Sequence, residues 1–254
     1  METEVRLFVS FMAGTAAPLA FCEAVRWATG TIGGRRDYLA PLLIGIAVVL
    51  PIIIVEHFLR VPIDHISDSA WHAVALSFFG GAIPEELGMF CVFFLWFGAR
   101  DRRDLRLAIL GSVAVAMGFT ATENSLELVM QSHDIENWMT MLVQRTFLTT
   151  PSSAADSIVV GVWFAVAMVR DTPRRREGIV IGALSIAVLS HGIWDSSVFW
   201  AADRLDPTSA LLAWAEMAPG LLFALGLSGI AIGLGIRRLS FLGVQLRFPR
   251  LARV

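Results

Sequence analysis

Apolar runs alternate with short charged segments along the whole chain. The runs cover Leu7–Cys22, Tyr38–Leu59, Trp71–Phe97, Leu105–Met130, Met139–Val169, Gly178–Trp200 and Thr208–Ile236. About 20 apolar residues of helix cross the hydrocarbon core of a bilayer. The pattern therefore predicts an all-α polytopic membrane protein, a bundle of about seven transmembrane helices in a cell membrane. Residues 1–254 read as a single integral membrane domain, because no linker, low-complexity tract or internal repeat divides them.

Composition agrees with that reading. Of 254 residues, 56% are hydrophobic and 17% charged, against roughly 25% charged in soluble domains. The net charge of −2 and the lack of a basic tract give no footing for nucleic acid. Cys22 and Cys91 both fall in apolar runs, which argues against a structural disulfide or a thiolate metal site.

Charge between the runs predicts orientation. Arginines fill alternate loops: Arg26, Arg35 and Arg36, then Arg100, Arg102, Arg103 and Arg106, then Arg170 and Arg174–Arg176. Arg237, Arg238, Arg247, Arg250 and Arg253 follow the seventh run. The loops between them carry Asp64 and Asp68, Asp134 and Glu136, and Asp203 and Asp206. Arginine-rich loops stay cytoplasmic, so the N-terminus is expected outside and the C-terminus inside.

Against this apolar background the ionisable residues within runs are conspicuous. Glu85 and Glu86 lie in the third run, behind Gly80, Gly81 and Pro84, which should bend or loosen the helix. Glu123 lies in the fourth, Asp156 in the fifth, and His191 and Asp195 in the sixth. A charge at the centre of a membrane helix costs at least about 2.5 kcal/mol on insertion scales. At 1.5 Å of rise per residue, Glu86, Glu123, Asp156 and His191 all fall roughly 20–25 Å from the cytoplasmic arginines, with Asp195 a turn higher. One polar cavity would produce that shared depth. His191 and Asp195 are spaced i, i+4 on one face, as are Phe119 and Glu123, which would set an aromatic wall below the carboxylate. Glu85 and Glu86 point about 100° apart, so only one should face the centre. Arg145 reads as a structural partner for Glu127 or Asp156, Asn124 as a cross-helix hydrogen bonder, and Glu56 as interfacial.

The order of these motifs resembles the PrsW family of intramembrane proteases, distantly similar to the type II CAAX prenyl endopeptidases. The residues that carry the resemblance are Glu85-Glu86, Phe119-x-x-x-Glu123 and His191-x-x-x-Asp195, within a core of residues 80–200. The chain departs from the family pattern at Met89, where a lysine is usual, and at Ser153, where a histidine often stands.

The resemblance implies an intramembrane endopeptidase that cleaves a membrane-protein substrate, such as an anti-sigma factor, near the outer face. Peptide hydrolysis needs activated water and donors for the oxyanion. Glu85 or Glu86 would be the base, assisted by Glu123; His191 would hold the water or the oxyanion, and Asp195 would orient His191. No cofactor is expected, though zinc on Glu86, Glu123 and His191 is an open alternative. Two rival readings use the same acids: a proton- or cation-coupled transporter, and a relative that binds membrane peptides without cutting them.

Overall fold

The computed structural model describes residues 3–30, 36–99, 104–169, 172–204 and 210–244. Nine α-helices account for nearly all of them, with no strand among the described residues. They are α1 (Thr3–Thr29), α2 (Arg36–Ile63), α3 (Ser69–Ser77), α4 (Ile83–Gly98), α5 (Leu105–Met130), α6 (Ile135–Gln144), α7 (Thr150–Met168), α8 (Pro173–Arg204) and α9 (Ala210–Phe241). The pairs α3/α4 and α6/α7 are each joined into one long rod, so seven rods are long and apolar enough to cross a membrane. Arg35, Arg100, Arg102, Arg103, Arg170, Arg247, Arg250 and Arg253, together with Asp206 and Thr208, lie outside the described residues.

The bundle is built around α5, whose most apolar stretch is 78% buried against 22% for α1. Small residues explain this position. Gly118 of α5 lies against the Leu42 carbonyl of α2, and Gly45 of α2 against the Val115 carbonyl of α5, so a Cβ at either would collide with backbone. Gly14 brings α1 onto Ser125, and Gly161 brings α7 onto Ile109. Membrane helices that gain little from apolar burial associate through such close backbone approach. Phe119 belongs to this packing: it is 3% exposed in the main core, not a wall of the cavity described below. Asn124 donates from Nδ2 to Thr150 Oγ1 at 3.0 Å, the cross-helix bond expected of it.

One part of the bundle is packed with aromatic rings. Phe93 and Phe97 of α4 meet Phe164 of α7 edge-on, with ring centroids 5.1 and 5.3 Å apart. These rings lie two to three turns of α4 beyond Glu86, and Gly111 of α5 admits the Trp96 ring beside them. The polar residues are thereby confined to the other end of α4.

The two composite rods share a device. The third rod contains a π-helical turn at Phe78–Ala82, and the fifth contains another at Arg145–Thr149. Each is followed by a proline in the first turn of the next helix, Pro84 and Pro151. Proline lacks an N–H, and its ring crowds the carbonyl four residues back, here Gly80 and Phe147; a wider turn relieves both. The expected disturbance of the third run is therefore a π-turn. The fifth run, read from sequence as one unbroken span, is broken in the same way.

Candidate active site

Both π-turns border a cavity of about 690 Å³. Its walls come from the end of α2, the α3/α4 rod, the end of α5, the α6/α7 rod and α8. π-turns are rare and occur often at functional sites, since the extra residue re-aims the side chains around it.

On one wall, His191 of α8 is surrounded by carboxylates. Its Nδ1 lies 3.0 Å from Glu86 Oε1, and its Nε2 lies 3.3 Å from Asp195 Oδ2 and 3.7 Å from Glu85 Oε2. Asp195 reaches the ring from one turn further along the same helix, as the i, i+4 spacing requires. Glu85 and Glu86 arrive from the first turn of α4 and are 7% and 5% exposed. Gly192 makes the approach possible, because a Cβ there would run into the Phe78 ring of the first π-turn. The adjacent glutamates divide as their angular offset implies. Glu85, Asp195 and His191 line the cavity, whereas Glu86 faces a small void with Met89, Ser112 and Ser157. One imidazolium could balance only one of the three carboxylates.

Elsewhere on the cavity lining, Arg145 of the second π-turn lies 3.2 Å from Glu123 Oε1 and also pairs with Glu127. The guanidinium thus holds two acids of α5, and Asp156 is not its partner. Asp156, 2% exposed, instead accepts a hydrogen bond from Ser228 Oγ at 2.7 Å, and Ser228 meets Ser190 Oγ at 3.1 Å. The depth shared by Glu123, Asp156 and His191 therefore resolves into three settings: a cavity wall held by arginine, a sealed hydroxyl network, and the imidazole cluster.

Two wall residues were assigned otherwise from sequence. Glu56, read from sequence only as interfacial, lines the cavity with a buried Oε1 that has no hydrogen-bond partner among the described residues. Its place near the end of an apolar run hid this, and the available signal was its i, i+4 relation to Arg60, which lines the same cavity. Gly81 also borders the cavity, and only its π-turn context distinguishes it from any helical glycine. Of the two departures from the family pattern, Met89 is 7% exposed in the core and Ser153 lines the cavity.

A family model described as PrsW family intramembrane metalloprotease matches residues 34–222. No curated protein and no solved structure matches the chain. The family description names a metal, and the wall chemistry can be tested for one. Imidazole and carboxylate are ligand types that zinc accepts. Yet Glu86 lies at the opposite ring nitrogen from Glu85 and Asp195, and Glu123 is held by Arg145. Among the described residues, no three His, Cys, Asp or Glu side chains form a metal-holding group. The donors as placed do not fit a resident metal.

Proposed function

Because the chain belongs to the PrsW family, whose members are intramembrane proteases, we propose that it hydrolyses a peptide bond of a membrane-protein substrate inside the 690 Å³ cavity. The observation that carries this reading is the His191 ring, with Glu85 and Asp195 at its cavity-facing nitrogen and Glu86 at the other. In the proposed mechanism Glu85 is the general base, because it is the member of the glutamate pair that lines the cavity. A carboxylate held away from bulk water and beside other acids suits that task near neutral pH.

His191 Nε2 supplies the donor for the developing oxyanion. Glu86 acts as a positioning residue, fixing the ring through Nδ1, and Asp195 holds the other edge. Glu123, anchored by Arg145, shapes another part of the cavity lining and adds to its negative charge. The bundle around the cavity implies a substrate presented from the membrane; an anti-sigma factor is one candidate of that class.

The test is a proteomic comparison of membranes containing the wild-type chain or Glu85→Gln. A membrane protein processed only in the wild type supports the reading. Identical membrane proteomes, combined with cation flux in proteoliposomes that is lost in Glu85→Gln, would replace it with transport.

A further inference from the structure

Gly81 sits in the first π-turn with its missing side chain directed at the acids of the His191 cluster. A Cβ built on Gly81 would lie 3.4 Å from Asp195 Oδ2, 3.6 Å from Glu85 Oε1 and 3.8 Å from the Leu76 carbonyl oxygen. All three lie at ordinary van der Waals distance, so a methyl group would fit against these oxygens, and without one the cavity that Gly81 borders reaches a niche in front of its backbone. His191 Nε2 borders the same two carboxylates, 3.3 Å from Asp195 Oδ2 and 3.7 Å from Glu85 Oε2. Such a niche has acceptors on several sides and a ring nitrogen nearby. A water needs two to four polar partners and space of about its own size.

Gly80 next to it provides an internal comparison. A Cβ there would meet Leu76 Cδ1 at 3.0 Å, Ile63 Cδ1 at 3.6 Å and Arg60 Cγ at 3.8 Å, all carbon atoms of side chains. The two glycines share one turn and one backbone geometry. They differ in what their missing side chains face.

We propose that the niche at Gly81 is the seat of the attacking water, and that the absence of a side chain at position 81 is a requirement of the chemistry, not of the fold. This inference rests on the protease reading. From that seat the water oxygen forms its bond to the scissile carbonyl carbon while one of its protons passes to the Glu85 carboxylate. The carbonyl π pair moves onto oxygen and is met by His191 Nε2. When the C–N bond breaks, the Glu85 proton is delivered to the leaving nitrogen, giving one new carboxyl end and one new amine end. Water is the only co-reactant.

The experiment compares Gly81→Ala with Gly80→Ala in the full-length chain in membranes. Its probe is the membrane protein found processed in wild-type but not in Glu85→Gln membranes. Both substitutions raise helix propensity by a similar amount, with the Leu76 side-chain end at 3.0 Å having to yield for Gly80→Ala, and melting temperatures in detergent check that both variants stay folded. Gly81→Ala is expected to lose at least about 100-fold in processing rate, the scale of a misplaced reactant, while Gly80→Ala keeps it. Full processing by Gly81→Ala, with Glu85→Gln silent, would overturn the niche and leave the protease reading standing. Equal losses in both glycine variants would also overturn it, by showing that the π-turn backbone is what the glycines serve. No processed protein in the wild type would remove both proposals together.

Discussion

His191 Nδ1 lies 3.0 Å from Glu86 Oε1, on the edge of the ring opposite Glu85 and Asp195. The two neighbouring glutamates therefore serve one imidazole from two sides and are expected to respond differently to the same substitution. Glu85→Gln removes the base and should slow processing by at least about 100-fold, within the usual range for general-base catalysis. Glu86→Gln keeps an amide oxygen that can still accept from Nδ1–H, so its loss should be the smaller one. Rates of substrate processing for the two variants, at matched protein levels, check the order. Equal losses would mean that Glu86 is also a reacting group.

Arg145 is expected to be structural before it is anything else. It pairs with both Glu123 and Glu127, and its side chain is only 15% exposed. Arg145→Met would leave two poorly solvated carboxylates without a cation and should cost about 3–5 kcal/mol, the usual penalty for breaking a buried pair from one side. Adding Glu127→Gln to that variant should restore part of the loss, because one stranded charge is gone. Thermal unfolding in detergent for the single and double variants tests this, and a double variant no more stable than Arg145→Met would argue against the pairing.

Asp156 should behave in the opposite way. No ion pair to it occurs among the described residues, and its Oδ1 accepts from Ser228 Oγ. Asp156→Asn keeps an acceptor for that hydroxyl and removes an uncompensated buried acid, so stability should hold or rise. Asp156→Ala, which leaves Ser228 without this acceptor, should lower the melting temperature. If the asparagine variant is the less stable of the two, Asp156 carries a charge that the hydroxyl network needs.

Orientation follows from the arginine asymmetry. Single cysteines placed in the 100–106 and 170–176 loops, with Cys22 and Cys91 replaced, should escape an impermeant thiol reagent in intact cells. Cysteines near Asp134 and Asp203 should be labelled. Reversed labelling would turn the bundle over and put the cavity at the other membrane face.

The seven spans were legible because hydrophobic length is a strong signal and needs no partner to interpret. His191 and Asp195 were legible as a pair because i, i+4 spacing fixes a shared face. The division of labour between Glu85 and Glu86 was foreseen as an angular offset, but which of them faces the cavity depends on the rotation of α4, set by the π-turn before it. Sequence depth grouped Glu123 and Asp156 with His191, and it could not show that Arg145 holds the first and Ser228 the second. The break in the fifth rod had a signal in Pro151, the counterpart of Pro84. Glu56 and Gly81 acquire meaning only from what other helices bring beside them.

The last expectation concerns metal, and it sets the geometry of the wall against the family's description. A catalytic zinc takes about three protein ligands converging on one point, with a further position open. The two nitrogens of His191 face different acids. Glu86 is at Nδ1 and so is separated by the ring from Glu85 and Asp195 at Nε2. Glu123, the other acid in the ligand set expected from sequence, is engaged by the Arg145 guanidinium at 3.2 Å. Gathering Glu86, Glu123 and His191 on one point would require breaking the Glu123 ion pair or turning the imidazole away from Glu86, each abandoning a charged contact in a poorly solvated site, and the acids at Nε2 form no metal-holding group as placed. Purified protein should therefore carry zinc well below one equivalent, and processing should survive dialysis against a chelator. Elemental analysis and the processing assay after chelation make the measurement. One equivalent of zinc, lost together with activity in His191→Ala, would show that the wall rearranges around a metal and would displace Glu85 as the sole activator of water.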